Sequence, residues 1–217
     1  MSDITKEHYE NKNYVDKYVE IYLSYKGYEE DYAELTRLLP KNALILDAGC
    51  GPGREALIFT KYGFKPVGVD YSNTMVEKAK EIAPNCQFLV MDLRKLEFED
   101  NYFDGIWSTG VLAHFNENEL KRVLNEFRRV LKPNGIIFIC TREGKKRDNG
   151  GKEPVLEGGE VIINYYEKEK FAELLKSSGF EIISTEVSED DTGRGFNWIA
   201  VFAKMVSPSS NSTTCKT

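Results

Sequence analysis

The sequence has 217 residues, 41% of them hydrophobic and 29% charged, enough to bury one sizeable core and short for two full domains. A formal net charge of −6 leaves no electrostatic footprint for nucleic acid, because a phosphate-binding surface needs concentrated lysine and arginine. No window is apolar for long enough to span a bilayer, and the opening stretch MSDITKEHYENKNY has no hydrophobic signal core, so a cytoplasmic protein without membrane contact is expected.

Residues 5–23 and 28–39 carry apolar and aromatic side chains at mixed three- and four-residue spacing, which predicts two helices ahead of the first strand. ALILDA then reads as a strand, Arg54 to Tyr62 as a helix, KPVGVD as a strand, Thr74 to Ala83 as a helix, and QFLVMD as a strand. YFDGIWST follows as a strand and ENELKRVLNEFRRVL as an amphipathic helix; GIIFICT is the next strand, and Glu167 to Ser177 a helix closed by Gly179. FEIISTEVS and FNWIAVFAKM are separated only by EDDTGRG, too little for a crossover helix, so the last strand should run antiparallel to the rest. The pattern predicts an α/β domain with a doubly wound, seven-stranded, mostly parallel sheet and helices on both faces. Residues 1–205 form that single domain, with 1–40 as an N-terminal helical cap and 41–205 as the core. The Ser/Thr-rich residues 206–217 are expected to form a disordered tail. The polar, glycine-rich REGKKRDNGGKEPVLEGGEV has the composition of a mobile lid or substrate loop, and equally of a disordered segment without function.

In an open parallel sheet the ligand lies beyond the carboxyl ends of the strands. Gly49, Gly51 and Gly53 sit between the first strand and the following helix, where residues without side chains let the backbone turn and approach a ligand. The dinucleotide fingerprint would place its third glycine at 54, which is arginine here. Asp47, Asp70 and Asp92 end three consecutive strands, so a pyrophosphate in that crevice would meet several negative charges, each pair costing about 1 to 4 kcal/mol. A ligand with positive charge, hydroxyls and amino donors suits them better, and S-adenosylmethionine has all three.

LDAGCGPG, GVDYS, VMDL and FDGIWSTGVLAHF resemble the successive motifs of the class I S-adenosylmethionine-dependent methyltransferases, in the Rossmann-like form that acts on small molecules. LNEFRRVLKPNGIIFI and YYEKEKFAELLKSSGF are similar to the family's downstream elements, so the resemblance covers residues 40–205. It implies that Asp47 lies under the methionine ammonium, with Gly49, Gly51 and Gly53 letting the backbone pass close to the cofactor. Asp70 would accept from both ribose hydroxyls and Asp92 from the adenine amino group, with the Leu93 N–H meeting a ring nitrogen. Tyr71 and Met75 would cover the adenine, and Ser108, Thr109, Gly110 and Val111 would form the wall nearest the sulfonium. The product cofactor would be S-adenosylhomocysteine.

His114 follows the fourth strand and is the candidate general base, with an ordinary pKa near neutrality. Candidate acceptor contacts are Tyr14 and Tyr18, with Tyr9, from the leading helices; Arg142, Tyr165 and Tyr166 after the fifth strand; and Arg194 and Trp198 at the final hairpin. Methyl transfer to O, N or S of a small molecule is the expected reaction, by a monomer or homodimer, with a protein acceptor or a non-catalytic cofactor-binding protein as the alternatives. STGV stands where amino-methylating members carry Asn-Pro-Pro-Tyr, which argues against a nucleobase acceptor. Cys50, Cys86, Cys140 and Cys215 form no CxxC pair, and no metal site is expected.

Overall fold

The nearly all-apolar stretch at residues 44–48 becomes the central strand of the sheet, β1 (Leu44–Ala48), hydrogen-bonded in parallel to β2 (Lys65–Asp70) and β4 (Phe103–Thr109). In the computed structural model, which describes residues 3–24, 27–145, 152–154, 160–190 and 195–206, the sheet order is β3-β2-β1-β4-β5-β9-β8. Here β3 is Gln87–Val90, β5 Leu131–Glu143, β8 Phe180–Glu189 and β9 Asn197–Met205. β9 pairs antiparallel with both β5 and β8, as its short connection requires. The chain winds outward from β1 in both directions, so the switch point, where a ligand crevice opens, lies between the carboxyl ends of β1 and β4.

Adjacent residues of the central strands divide between two cores because side chains alternate across a strand. Leu46, Ile106 and Ile137 face α6 (Glu117–Val130) and α7 (Lys168–Ser177). Ile45, Trp107 and Phe138 face α3 (Glu29–Leu38) and α4 (Arg54–Lys61), with Trp107 stacked on Phe138 at 4.1 Å between centroids. α6 buries Leu120, Val123, Leu124, Phe127 and Val130, the three-and-four spacing of one helical face. Its start is fixed by a capping box in which the Asn116 side chain accepts from the Asn118 and Glu119 N–H groups and Glu119 accepts from the Asn116 N–H.

The N-terminal segment holds three helices rather than two. α1 (Asp3–Glu10) and α2 (Lys12–Ser24) are divided at Asn11, whose side-chain oxygen accepts from the N–H groups of Asn13 (3.0 Å) and Tyr14 (3.3 Å) and restarts the helix. The break frees α1 to cross the crevice. At one end the Glu10 carboxylate caps α5 (Asn73–Ile82), accepting from the N–H groups of Asn73 (2.9 Å) and Thr74 (3.1 Å), while the Ser72 hydroxyl donates to the Tyr9 carbonyl at 2.7 Å. At the other, the Thr5 hydroxyl accepts from the Ile162 N–H at 3.1 Å.

Ile162 ends β7 (Glu160–Ile162), which pairs antiparallel with β6 (Lys152–Pro154) where only a loop is predicted. Three-residue strands leave too short an alternation to read against a polar, glycine-rich background. Residues 146–151 and 155–159 of the expected loop, the tail 207–217 and Arg194 fall outside the described residues. No helix among the described residues is long and apolar enough to cross a membrane.

Candidate functional site

The loop after β1 turns through three left-handed glycines, and each is held differently. At Gly49 (φ +80°) an added Cβ would lie 2.5 Å from the Val111 Cβ, so the missing side chain permits close packing. At Gly51 (φ +49°) a Cβ would project into open space, and this residue borders a cavity of about 190 Å³ beneath α1. Gly53 packs instead against Ala79 and Phe88 at the start of α4, away from the cavity.

One strand-end carboxylate, Asp70, lines this crevice, and a second, Asp47, is buried close enough to feel its charge. Asp70 lines the cavity; its Oδ2 accepts from the Gly51 N–H (3.0 Å) and its Oδ1 from the Ser72 N–H (2.9 Å). Asp47 is 2% exposed, and its buried Oδ2 has no hydrogen-bond partner among the described residues. Burial first, then the charge of Glu55, pushes the Asp47 carboxyl well above the usual carboxylate range, while Arg54 opposes the shift. Such an orphaned acceptor is costly unless a ligand donor reaches it. Asp92 is elsewhere: Arg94 Nε reaches both its oxygens at 3.0 Å and Arg94 Nη2 its Oδ2 at 2.6 Å, with Glu119 on the far side of the guanidinium. Asp92 does not line the cavity, and both its oxygens are already held by the arginine two residues along.

The sheet ends contribute Thr109, Gly110 and Val111 to the cavity, and α5 contributes Met75. Tyr9, Tyr14 and Tyr18 close it from the leading helices, and His114, Arg142, Val161, Ile163 and Trp198 complete the lining. Six other expected site residues do not reach it. Tyr71 is covered by the Lys6 ammonium, 4.5 Å from its ring centroid. The Leu93 side chain is in the core, while the contact expected of it is through its backbone N–H, and the Ser108 hydroxyl is buried in the sheet without a partner among the described residues. Tyr165 is buried against Ala113, Val161 and Ile163, and the Tyr166 hydroxyl donates to the Phe115 carbonyl at 2.5 Å, so both act in packing. Gly53, as noted, packs behind the loop.

The reading of the sequence missed two features. Val161 and Ile163 have only the brief alternation of VIIN as a signal. Arg54 and Glu55 form a buried ion pair under the glycine loop. The Tyr22 hydroxyl donates to Glu55 at 2.7 Å and the Tyr32 hydroxyl to its other oxygen at 3.5 Å, while Arg54 donates to the Tyr22 carbonyl at 3.0 Å. These bonds tie α2 and α3 to α4, and no local pattern in the sequence announces them.

His114 ends the 3₁₀ turn Val111–His114, 7% exposed. Its Nδ1 lies 3.0 Å from the Ile162 carbonyl, which can only accept, so Nδ1 carries the proton. Burial pulls its pKa down to about 4, leaving the ring neutral, and its Nε2 lone pair faces the Tyr9 hydroxyl at 3.2 Å. Burial also raises the Tyr9 pKa well above its ordinary value, with Tyr14, Tyr18 and Asp70 adding to the shift, so this hydroxyl is protonated and donates to His114.

A family profile described as a methyltransferase domain matches residues 45–135, which include the glycine loop, Asp47, Asp70 and His114. The chain is 32% identical over 141 residues to 2-methyl-6-phytyl-1,4-hydroquinone methyltransferase of Synechocystis, a match covering 63% of this chain and only 40% of that protein. It is 28% identical over 197 residues to the phosphoethanolamine N-methyltransferase of Plasmodium falciparum, covering 83% and 73%. A crystal structure of an S-adenosylmethionine-dependent methyltransferase from Methanosarcina mazei superposes with a TM-score of 0.73 over 82% of this chain and 99% of that one, at 23% identity. Residues 45–135 are thus similar to a methyltransferase domain, and the fold is that of the class I S-adenosylmethionine-dependent methyltransferases, whose cofactor is S-adenosylmethionine. The residues present suit it, since the buried orphan oxygen of Asp47, the open space at Gly51 and the carboxylate of Asp70 complement a cationic ligand rich in hydrogen-bond donors.

Proposed function

We propose that the protein transfers a methyl group to an oxygen, nitrogen or sulfur of a small-molecule acceptor. The observation that carries this reading is the Tyr9–His114–Ile162 chain of hydrogen bonds, directed into a cavity that α1 and β7 enclose. Bound S-adenosylmethionine supplies an electrophilic methyl on its sulfonium. Asp47 would hold its ammonium and Asp70 its ribose hydroxyls. Where the acceptor atom carries a proton, that proton leaves as the methyl arrives, and Tyr9 is placed to receive it as its own passes to His114 Nε2. The Ile162 carbonyl keeps the lone pair on Nε2 by fixing the proton on Nδ1. The remaining acceleration comes from holding the two reactants aligned under a lid that excludes water.

The small volume of the cleft under α1, about 190 Å³, favours a metabolite over a folded protein or a nucleic-acid strand. The test is S-adenosylhomocysteine formation with a cell extract divided by ultrafiltration. Product with the low-molecular-weight filtrate is expected. Product with the macromolecular retentate alone would point to a protein or nucleic-acid acceptor, and cofactor binding without turnover in either fraction to a binding protein.

A further inference from the structure

We infer that Glu55 is a positioning residue for the cofactor, and that its bond from Tyr22 makes the seating of α2 and the filling of the cofactor site one coupled equilibrium. The link to the cofactor rests on the assignment of Asp47 to the ammonium above. Arg54 and Glu55 open α4 directly after Gly53, under the loop whose Gly51 borders the cavity, and both are buried. Arg54 Nε donates to Glu55 Oε1 at 3.1 Å, Arg54 Nη1 donates to the Tyr22 carbonyl, and the guanidinium carbon lies 4.1 Å from the Tyr22 ring centroid. Glu55 Oε2 accepts from the Tyr22 hydroxyl. The end of α2 thus meets the ion pair with a carbonyl, a ring and a hydroxyl. Burial, then the charge of Glu55, raises the Tyr22 pKa well above its ordinary value, so the hydroxyl keeps its proton and stays the donor.

This contact joins two parts of the site. Along α2, Tyr18 stacks on Tyr22 at 5.2 Å between centroids and 20° between planes, and Tyr14 on Tyr18 at 5.8 Å and 30°. Tyr14 and Tyr18 line the cavity, so the ladder of rings runs from the cavity wall to the ion pair. Under the glycine loop, Glu55 is the charge that acts most strongly on the buried Asp47 carboxyl, with Arg54 opposing it. Displacing either one changes how readily Asp47 gives up its proton to meet an ammonium. Unseating α2 would take a donor from Glu55 and an acceptor from Arg54, leaving buried charges short of partners beside Asp47. The state with α2 unseated therefore holds the cofactor less well, and by reciprocity the cofactor holds α2 in place.

The test uses cofactor and no acceptor, so it does not depend on which molecule is methylated. Wild type and Tyr22→Phe, which keeps the ring and loses one hydroxyl, are titrated with S-adenosylmethionine by calorimetry. Amide exchange of residues 12–24 is followed with and without S-adenosylhomocysteine. In the wild type S-adenosylhomocysteine should slow exchange of 12–24 by about fivefold or more beyond any slowing in α6, the lower end of coupling between sites. Tyr22→Phe should bind S-adenosylmethionine about fivefold or more weakly and lose most of that protection. Tyr32→Phe removes the longer bond to the same carboxylate from α3, and should leave the protection of 12–24 within about twofold, which separates the tie to α2 from general support of Glu55. Exchange of 12–24 that does not respond to S-adenosylhomocysteine in the wild type overturns the proposal whether or not the variants fold. Affinity of Tyr22→Phe within about twofold of the wild type also overturns it. Asp47→Asn is run beside them. If it binds S-adenosylmethionine as the wild type does, the ammonium assignment is refuted and the proposal with it; if it binds weakly while Tyr22→Phe does not, the coupling alone is refuted.

Discussion

The Tyr9 hydroxyl lies 3.2 Å from His114 Nε2 although the two residues are 105 positions apart, one on the lid helix and the other beside the strand end that carries the cleft. The contact exists only while α1 is seated between α5 and β7. Seating α1 and making this contact are therefore one event, which, on the relay proposed above, would keep the chemistry in step with exclusion of water.

Tyr9→Phe keeps the ring and removes the hydroxyl, and His114→Asn keeps a polar group while removing the imidazole. With the acceptor identified in the filtrate, each should lower kcat by about 10²-fold or more, the usual scale of a lost general base. Affinity for S-adenosylmethionine, measured by calorimetry, should stay within about threefold, since neither side chain is assigned to the cofactor. Unchanged kcat in Tyr9→Phe would refute the relay.

Asp47 and Asp70 should separate by pH. Asp47 holds its proton unusually tightly because it is buried beside Glu55, so a bound ammonium must draw its pKa down and release that proton. The sign follows: S-adenosylmethionine affinity should rise with pH up to the pKa of Asp47 in the free protein and then level off. Calorimetry in two buffers of different ionisation enthalpy should show net proton release, lost in Asp47→Asn. Asp70→Ala should weaken the cofactor by about 10- to 100-fold through the loss of charge-assisted bonds, roughly 1.5 to 3 kcal/mol.

Strand order, the antiparallel β9 and the place of the cleft were legible because apolar runs, helix spacing and a seven-residue connection leave few topologies. That Gly49, Gly51, Asp70, His114 and Arg142 would border one cleft was legible because each occupies or follows a strand end, where position alone implies the crevice. The ion-pair network that holds Asp92 was not legible, since it runs through Arg94 to Glu119 of α6, a contact made across 25 positions. Tyr165 and Tyr166 show the same limit: they follow the right strand in sequence, yet packing against Ala113 and a bond to the Phe115 carbonyl take them out of the cavity. The lid was half legible, because the tyrosine spacing marked a buried face but the break at Asn11 that lays α1 over the site depends on one side chain's choice of hydrogen bond.

Gly49 and Gly51 differ by what surrounds them, and alanine should expose the difference. Gly49→Ala combines left-handed strain of about 1 to 2 kcal/mol with an overlap against Val111, and should lower unfolding free energy by about 2 to 4 kcal/mol in urea melts. Gly51→Ala meets no protein atom, so only the strain should appear in its stability. Its methyl would project toward the cavity, so this variant, and not a merely destabilised one, should lose cofactor affinity at temperatures where it is fully folded. Equal stability losses in the two would contradict the packing around the loop.

The pKa of His114 makes a separate claim on stability. It stands at about 4 in the folded protein against 6.5 for the ordinary group, because burial disfavours the charged ring. Between those values the unfolded chain binds a proton that the native state does not, so this residue makes the protein less stable as pH falls from 6.5 toward 4. The full difference, at about 1.4 kcal/mol per pH unit, is about 3 kcal/mol and is reached near and below pH 4. Other groups act in the opposite direction: Asp31, raised to about 6 by burial and by Glu186, binds its proton more readily when folded and gains stability on acidification. The measurement is therefore a difference, the unfolding free energy of the wild type minus that of His114→Asn across pH 4 to 8. The difference should be flat above about pH 7 and fall by up to about 3 kcal/mol toward pH 4, as the wild type alone loses the histidine contribution. A difference that stays level throughout would mean that the ring titrates alike in both states, and that the imidazole is not held neutral against Tyr9.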